Sequence, residues 1–161
     1  MRHKSLCFSG HRNKQLPENL DLLKECIKIE CIKAIDSGYT NFYQGACYGF
    51  DLICAEIILG LKKEYKDIRL ISAVPFIEQA KSWTEENKEL YKKILSLSDE
   101  VVYVSETYKK DCYYKRNRYM VDRSEKLICY CNQKFGGTKY TLNYAIGSNI
   151  DCINLACDYN F

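Results

Sequence analysis

Three short segments carry residue types suited to holding a phosphate: Ser9-Gly10-His11-Arg12, Gly45-Ala46-Cys47-Tyr48-Gly49-Phe50-Asp51 and Gly136-Gly137-Thr138. Glycine lets backbone approach an anion, and a helix N-terminus adds free N–H groups and positive potential. In the first segment, the Ser9 hydroxyl, the Gly10 N–H and the Arg12 guanidinium can converge on one phosphate. His11 belongs to the residue type that titrates near neutrality. No nucleophile partner is evident for it in the sequence, so a hydrogen bond to a ligand suits it better than general-base work. In the second segment, Gly45 permits a tight turn, Ala46 sits within it, and Gly49 allows close approach where a helix starts. Asp51 suits the first turn of that helix, where the macrodipole favours a carboxylate, and it also suits a ribose hydroxyl. No Gly-Lys-Ser/Thr follows, so the segment is not a Walker sequence.

Further residues extend this chemistry. Phe76, Gln79 and Trp83 share one face if a helix begins at Phe76; the aromatics then stack on a base or pack, and Gln79 reads the base edge. Arg116 and Met120 share another helix face. Basic residues cluster at Lys109, Lys110, Lys115, Arg116, Arg118 and Arg123, which reads either as a solvated helix face or as an anion-binding rim.

The elements that must position these groups alternate. Strand-like runs fall near residues 4–8, 41–44, 69–74, 100–104, 126–131 and 152–155. Between them lie helical patterns: one after Pro17 that ends at Gly38, then 51–65, 82–96, 114–123 and 138–147. Pro17 suits a first helical turn, and Pro75 is expected to close the third strand. Residues 52–61 are nearly all apolar, with only Glu56 charged, so that helix is buried on most faces. Such alternation implies an α/β fold with a parallel sheet covered by helices on both faces. Ligands of open α/β sheets bind at the carboxyl ends of the strands, where all three glycine segments fall.

At 161 residues the chain reads as a single domain, 1–161, with 47% apolar residues. No apolar run approaches a membrane span, and no signal-peptide pattern follows the basic start, so a cytoplasmic protein without a membrane partner is expected. The net charge of +3 is weak for a dedicated nucleic-acid binder, which argues against nucleic acid as a partner. Ten cysteines occur without any C-x-x-C spacing and with only two histidines, which argues against metal. In a reducing compartment they behave as buried hydrophobes.

The order of the motifs resembles the SLOG superfamily of Rossmann-like proteins, most closely its YpsA-like branch. The matching pieces are Ser9-Gly10-His11-Arg12, Gly45-x-x-x-Gly49-x-Asp51, Pro75-Phe76-x-x-Gln79-x-x-x-Trp83, Arg116-Asn117-x-x-Met120-Val121-Asp122-x-Ser124 and Gly136-Gly137-Thr138. The resemblance implies a three-layer Rossmann-like fold with a central, mainly parallel sheet. It implies a site drawn from Ser9, Gly10, His11, Arg12, Gly45, Ala46, Gly49, Asp51, Phe76, Gln79, Trp83, Arg116, Gly136, Gly137 and Thr138. It also leaves room for a homo-oligomer.

Related LOG-type phosphoribohydrolases carry Pro-Gly-Gly-x-Gly-Thr-x-x-Glu, whose glutamate is taken as catalytic. Here Gly137-Thr138 match the Gly-Thr pair, and Thr141 stands where the glutamate would be. A carboxylate assists cleavage of an N-glycosidic bond, and a threonine hydroxyl does so poorly. The expectation is therefore a protein that binds a nucleotide or nucleotide-sugar, ADP-ribose-like in class. It would act as a sensor, regulator or sequestering protein without efficient turnover, and without a cofactor. Two alternatives stand beside it. One is a phosphoribohydrolase or nucleosidase using Glu56 or Asp51. The other is a single-stranded nucleic-acid binder, supported by Tyr108, Tyr113, Tyr114 and Tyr119 among Lys and Arg.

Overall fold

In the computed structural model, which describes residues 4–161, six strands form one sheet. They are β1 (Lys4–Gly10), β2 (Tyr39–Gln44), β3 (Arg69–Phe76), β4 (Glu100–Ser105), β5 (Lys126–Tyr130) and β6 (Asp151–Asn154). The spatial order is β4-β3-β2-β1-β5-β6, and every neighbouring pair is parallel. The helices are α1 (Leu20–Asp36), α2 (Phe50–Leu61), α3 (Glu85–Leu97), α4 (Cys112–Asp122), α5 (Gly137–Gly147) and the short α6 (Leu155–Asp158).

Period-two alternation in the strands separates two cores. Leu6 and Phe8 face one way, with Phe42, Leu70, Val74 and Ile128, against Leu23, Ile27, Leu52, Ile58 and Ile94 of α1, α2 and α3. Cys7, Ala73, Leu127 and Cys129 face the other way, against Met120, Val121, Leu142 and Ala145 of α4 and α5. The result is a three-layer Rossmann-like fold. Burial of each large side chain such as Phe8 or Phe42 contributes about 1.5–3 kcal/mol, and these two rings stack at 6.3 Å.

The strand ladder decides where a site can form. The chain winds from β1 out to β4 and then returns to β5 on the other side of β1, so the order reverses between β1 and β5. Gly10 stands opposite Tyr130, which brings the carboxyl ends of β1 and β5 level. β2 stops at Gln44, opposite Ser72, while β3 runs on to Phe76. Its loop therefore folds back beside β1.

Several boundaries differ from expectation for local physical reasons. Pro17 precedes α1, whose N-cap is Asn19; its side chain accepts from the Leu22 N–H at 3.1 Å. Pro75 lies inside β3, beyond the last β2 partner, where no ladder donor is missed on that side. Residues 77–83 form turns, and α3 starts only after Thr84, which accepts from Asn87 N–H at 3.3 Å. The face expected for Phe76, Gln79 and Trp83 on one helix thus does not exist. All ten cysteines are free thiols. Among the described residues no helix is long and apolar enough to cross a membrane.

Candidate functional site

A cavity of about 360 Å³ opens where the strand order reverses. The end of β1 supplies Ser9, Gly10, His11 and Arg12; the start of α2 supplies Asp51; α4 supplies Tyr113, Arg116 and Asn117; and the loop into α5 supplies Phe135, Gly136, Gly137 and Thr138. Its size falls within the range of about 300–1,000 Å³ common for small-molecule sites. Arg12, Lys110 and Arg116 bring positive charge to the lining, and Asp51 brings negative charge.

The α5 end is built to stay open. Gly136 has φ +107 and ψ −178, a backbone conformation favouring glycine, and no side chain caps the helix. The first N–H groups of α5 thus keep no partner within the helix, and Gly137 and Thr138 line the cavity. Phe135, just before the turn, is 86% exposed at the cavity's rim. Thr141 lies one turn inside α5, fully buried, with its hydroxyl donating to the Gly137 carbonyl at 2.8 Å. That hydroxyl is occupied within the helix.

At the β1 end, the buried His11 ring accepts the Asn132 N–H on Nε2 at 3.1 Å. The neutral ring therefore carries its proton on Nδ1. Burial lowers its pKa from the usual value, which favours this neutral form. Arg12 is exposed; it reaches the Tyr48 hydroxyl at 3.4 Å and lies 5.1 Å from the centre of that ring.

Arg116 is buried and bonded twice. Its Nε donates to Asn117 Oδ1 at 2.7 Å, and its Nη1 donates to the Gly45 carbonyl. Of five guanidinium N–H groups, the remainder are free for the cavity the residue lines. A Cβ on Gly45 would meet Arg116 Nη1 at 2.6 Å and Asp51 Oδ2 at 2.8 Å. Only glycine leaves room for both. Asp51 is buried; its Oδ2 accepts from the Cys47 N–H at 3.4 Å, and its Oδ1 has no partner. Burial pushes its pKa up to about 6, with Arg116, the Cys47 N–H and Arg12 opposing the rise.

The second glycine segment is arranged differently from expectation. Gly45, Ala46 and Gly49 do not line the cavity. Gly49 has φ +98, and a Cβ there would meet the His11 carbonyl at 2.7 Å. Its close approach is thus to the β1 loop and not to a ligand. Ala46 adopts φ +59, held from both sides: its N–H donates to Gln44 Oε1 at 2.6 Å, and its carbonyl accepts from Gln79 Nε2 at 3.1 Å. Gln79 is therefore a buried brace for this turn and not a free reader of base edges.

Phe76, Gln79 and Trp83 line a neighbouring open groove of about 1180 Å³ with Tyr48 and Tyr108. The groove shares Arg12, Gln15 and Tyr113 with the first cavity, so the two adjoin. Trp83 packs edge-on against Tyr48 and Tyr91 at 5.0 and 5.3 Å. Glu56 lies elsewhere, beside Lys63 and Lys93 on the α2–α3 flank, and does not reach the cavity. Asn117, Gln15 and Phe135 line the cavity without having been singled out as ligand residues, and Tyr113 had been named only for the nucleic-acid alternative. The spacing of Tyr113, Arg116, Asn117 and Met120 along one helix face was the available signal.

Fold and cavity together define a Rossmann-like α/β protein with its crevice at the switch point of the sheet. More narrowly, the chain belongs to the YpsA family of SLOG proteins, whose family model matches residues 6–151. It is 33% identical over 151 residues to the UPF0398 protein YpsA of Bacillus subtilis (strain 168), covering 88% of this chain and 84% of that one. It is 34% identical over 117 residues to the SPbeta prophage-derived protein YoqJ of the same organism, covering 65% and 68%.

Among solved structures, DNA processing protein A of Streptococcus pneumoniae aligns with TM-score 0.64 at 13% identity, over 93% of this chain and 49% of that one. The same protein from Helicobacter pylori, solved for its single-stranded DNA binding mode, aligns with TM-score 0.63 at 18% identity, over 92% and 63%. The chain spans about half to two thirds of these proteins. Their fold is this fold, and one of them binds single-stranded DNA. The inference from weak net charge that nucleic acid is an unlikely partner is corrected accordingly. Overall charge is a poor guide where a few cations gather at one crevice.

Proposed function

We propose that the protein binds a phosphate-bearing nucleotide in the cavity between β1, α4 and α5 and holds it intact. One observation carries this reading: Arg12, Arg116 and the uncapped N-terminus of α5 converge on one cavity at the strand ends. Phosphate fits the α5 turn, and Phe135 and Tyr114 offer faces for a base. Retention without cleavage is supported by Thr141, buried with its hydroxyl bonded to Gly137; of the two alternative carboxylates, Glu56 lies on another surface and Asp51 alone lines the cavity.

A second reading is single-stranded nucleic acid, and a specific observation favours it. The aromatic groove adjoins the cavity through Arg12 and Tyr113, so consecutive nucleotides could run from one to the other. The structural likeness to DNA processing protein A supports this reading better than it supports a free nucleotide.

Titration with ADP-ribose, ADP and a twelve-residue oligothymidylate at 50 and 200 mM salt separates the two. A strand contacting several phosphates loses affinity steeply with salt, with a log–log slope of about −0.7 per phosphate neutralised. Saturable ADP-ribose binding, with the ligand recovered unchanged by chromatography, supports the first reading. Steep salt-dependent strand binding with no mononucleotide binding supports the second.

A further inference from the structure

The turn at Gly136 and Gly137 is carried by a loop, residues 131–136, that belongs to no strand or helix. Its position in the cavity wall therefore depends on a few side chains. At its start, the Asn154 amide holds both the Cys131 N–H and the Cys131 carbonyl, each at 3.0 Å. One residue further, the Asn132 N–H donates to His11 Nε2 at 3.1 Å, and the Asn132 side chain reaches the Gln15 carbonyl at 3.5 Å. Among the described residues, the bond to His11 is the last that ties the loop backbone to another element before the turn.

His11 is itself fixed in place. Its carbonyl accepts from the Phe50 N–H at 3.1 Å, which ties its backbone to the first turn of α2. Its ring is buried and meets the Tyr130 ring edge-on at 6.1 Å. The bond that one ring nitrogen makes decides where the proton sits on the other. With Nε2 accepting, the proton is on Nδ1, and a ring protonated on both nitrogens could not take the Asn132 N–H. Burial disfavours that charged form and so keeps the acceptor available. We infer that His11 is the positioning residue of the anion site: through Nε2 it fastens the loop into α5 to the β1 loop, and so sets where the Gly136–Gly137 turn meets a phosphate. This rests on the nucleotide reading above and deepens it. The role differs from a direct bond to the ligand, because the nitrogen used faces the protein.

Two substitutions separate the tie from other roles of the ring. Glutamine carries its acceptor one bond beyond Cγ, as imidazole carries Nε2, so His11→Gln keeps a partner for Asn132. His11→Leu removes it. Hydrogen exchange of the Asn132 amide is followed by NMR, the imidazole nitrogens of the native protein are read from its 15N spectrum, and ADP-ribose is titrated calorimetrically into all three proteins at pH 8. The native protein should show a protected Asn132 N–H and a neutral His11 ring with its proton on Nδ1. His11→Leu should lose the protection and bind ADP-ribose about 3- to 10-fold more weakly, the range for one neutral hydrogen bond. His11→Gln should restore both. A native ring with its proton on Nε2 overturns the inference while leaving nucleotide binding intact, and so does undiminished binding by His11→Leu. Binding lost in both variants, with Asn132 still protected in His11→Gln, also overturns it, because the ring would then be a ligand contact. Absence of ADP-ribose binding by the native protein removes the nucleotide reading and the positioning role with it. The native spectrum and the His11→Gln comparison stand even if His11→Leu is poorly folded.

Discussion

Replacing Asp51 by asparagine should affect stability more favourably at pH 8 than at pH 5. The ordinary aspartate value of 3.8 rises to about 6 in the folded chain, chiefly through burial. An acid with a raised folded pKa keeps its proton in the native state where the unfolded chain has already lost it. Native protein therefore binds more protons between pH 4 and 6, and stability falls as pH rises through that window. At 1.36 kcal/mol per unit, the ionised carboxylate costs about 3 kcal/mol at pH 8, and roughly half of that at pH 5.

Asparagine removes this charge cost but adds a buried amide, whose own desolvation costs about 1–3 kcal/mol at any pH. The quantity to measure is thus the difference between the two pH values, on the order of 1–2 kcal/mol. For a chain of this size that corresponds to a Tm shift roughly 3–6 °C more favourable at pH 8 than at pH 5. Paired thermal melts of the native protein and Asp51→Asn at the two pH values measure it. An equal shift at both, or a larger loss at pH 8, refutes the reasoning. Either would mean that Arg116 and the Cys47 N–H hold the carboxylate as a stable anion.

Other changes test the surrounding geometry. Gly49→Ala should lower stability by about 1–3 kcal/mol, through left-handed backbone strain and a clash with the His11 carbonyl, measurable by urea denaturation. Phe135→Ala should leave Tm unchanged, since the ring is 86% exposed, yet weaken ADP-ribose binding by about 1 kcal/mol or more if it stacks on the base. Thr141→Glu should destabilise by about 3 kcal/mol or more, because it places an unpaired charge at a fully buried position. Chromatography of that variant with ADP-ribose should show no gain in cleavage.

The sheet and its helices were legible because their signals are local. Short continuous apolar runs such as Leu6 to Phe8, and helical spacing such as Leu23, Ile27 and Cys31, need no knowledge of the rest of the chain. The open α5 turn was legible for the same reason, since Gly136 and Gly137 directly precede a helical pattern. The second glycine segment was misread in part because its role depends on register. β2 ends at Gln44, two residues short in level of Gly10, and this folds Gly49 against His11 and not against a ligand. Gln79 was placed at the ligand because its true partner, Ala46, lies 33 residues away. Phe76 and Trp83 were assigned to one helix face, but Thr84 caps a helix that starts only at Glu85, beyond both of them. α6 went unnoticed, since four residues leave too short a pattern to detect. The unpaired Asp51 Oδ1 could not be read from sequence at all, because it is a property of packing from three elements.

The central claim is that the cavity at the switch point binds a nucleotide through its cations. Calorimetric titration of ADP-ribose into the native protein and Arg12→Gln tests it most directly, because Arg12 is exposed and its loss leaves the core untouched. The account predicts one saturable site in the native protein and binding weakened by about 1.5–3 kcal/mol, roughly 10- to 150-fold, in the variant. No measurable binding to the native protein, or the same affinity in both, would contradict it.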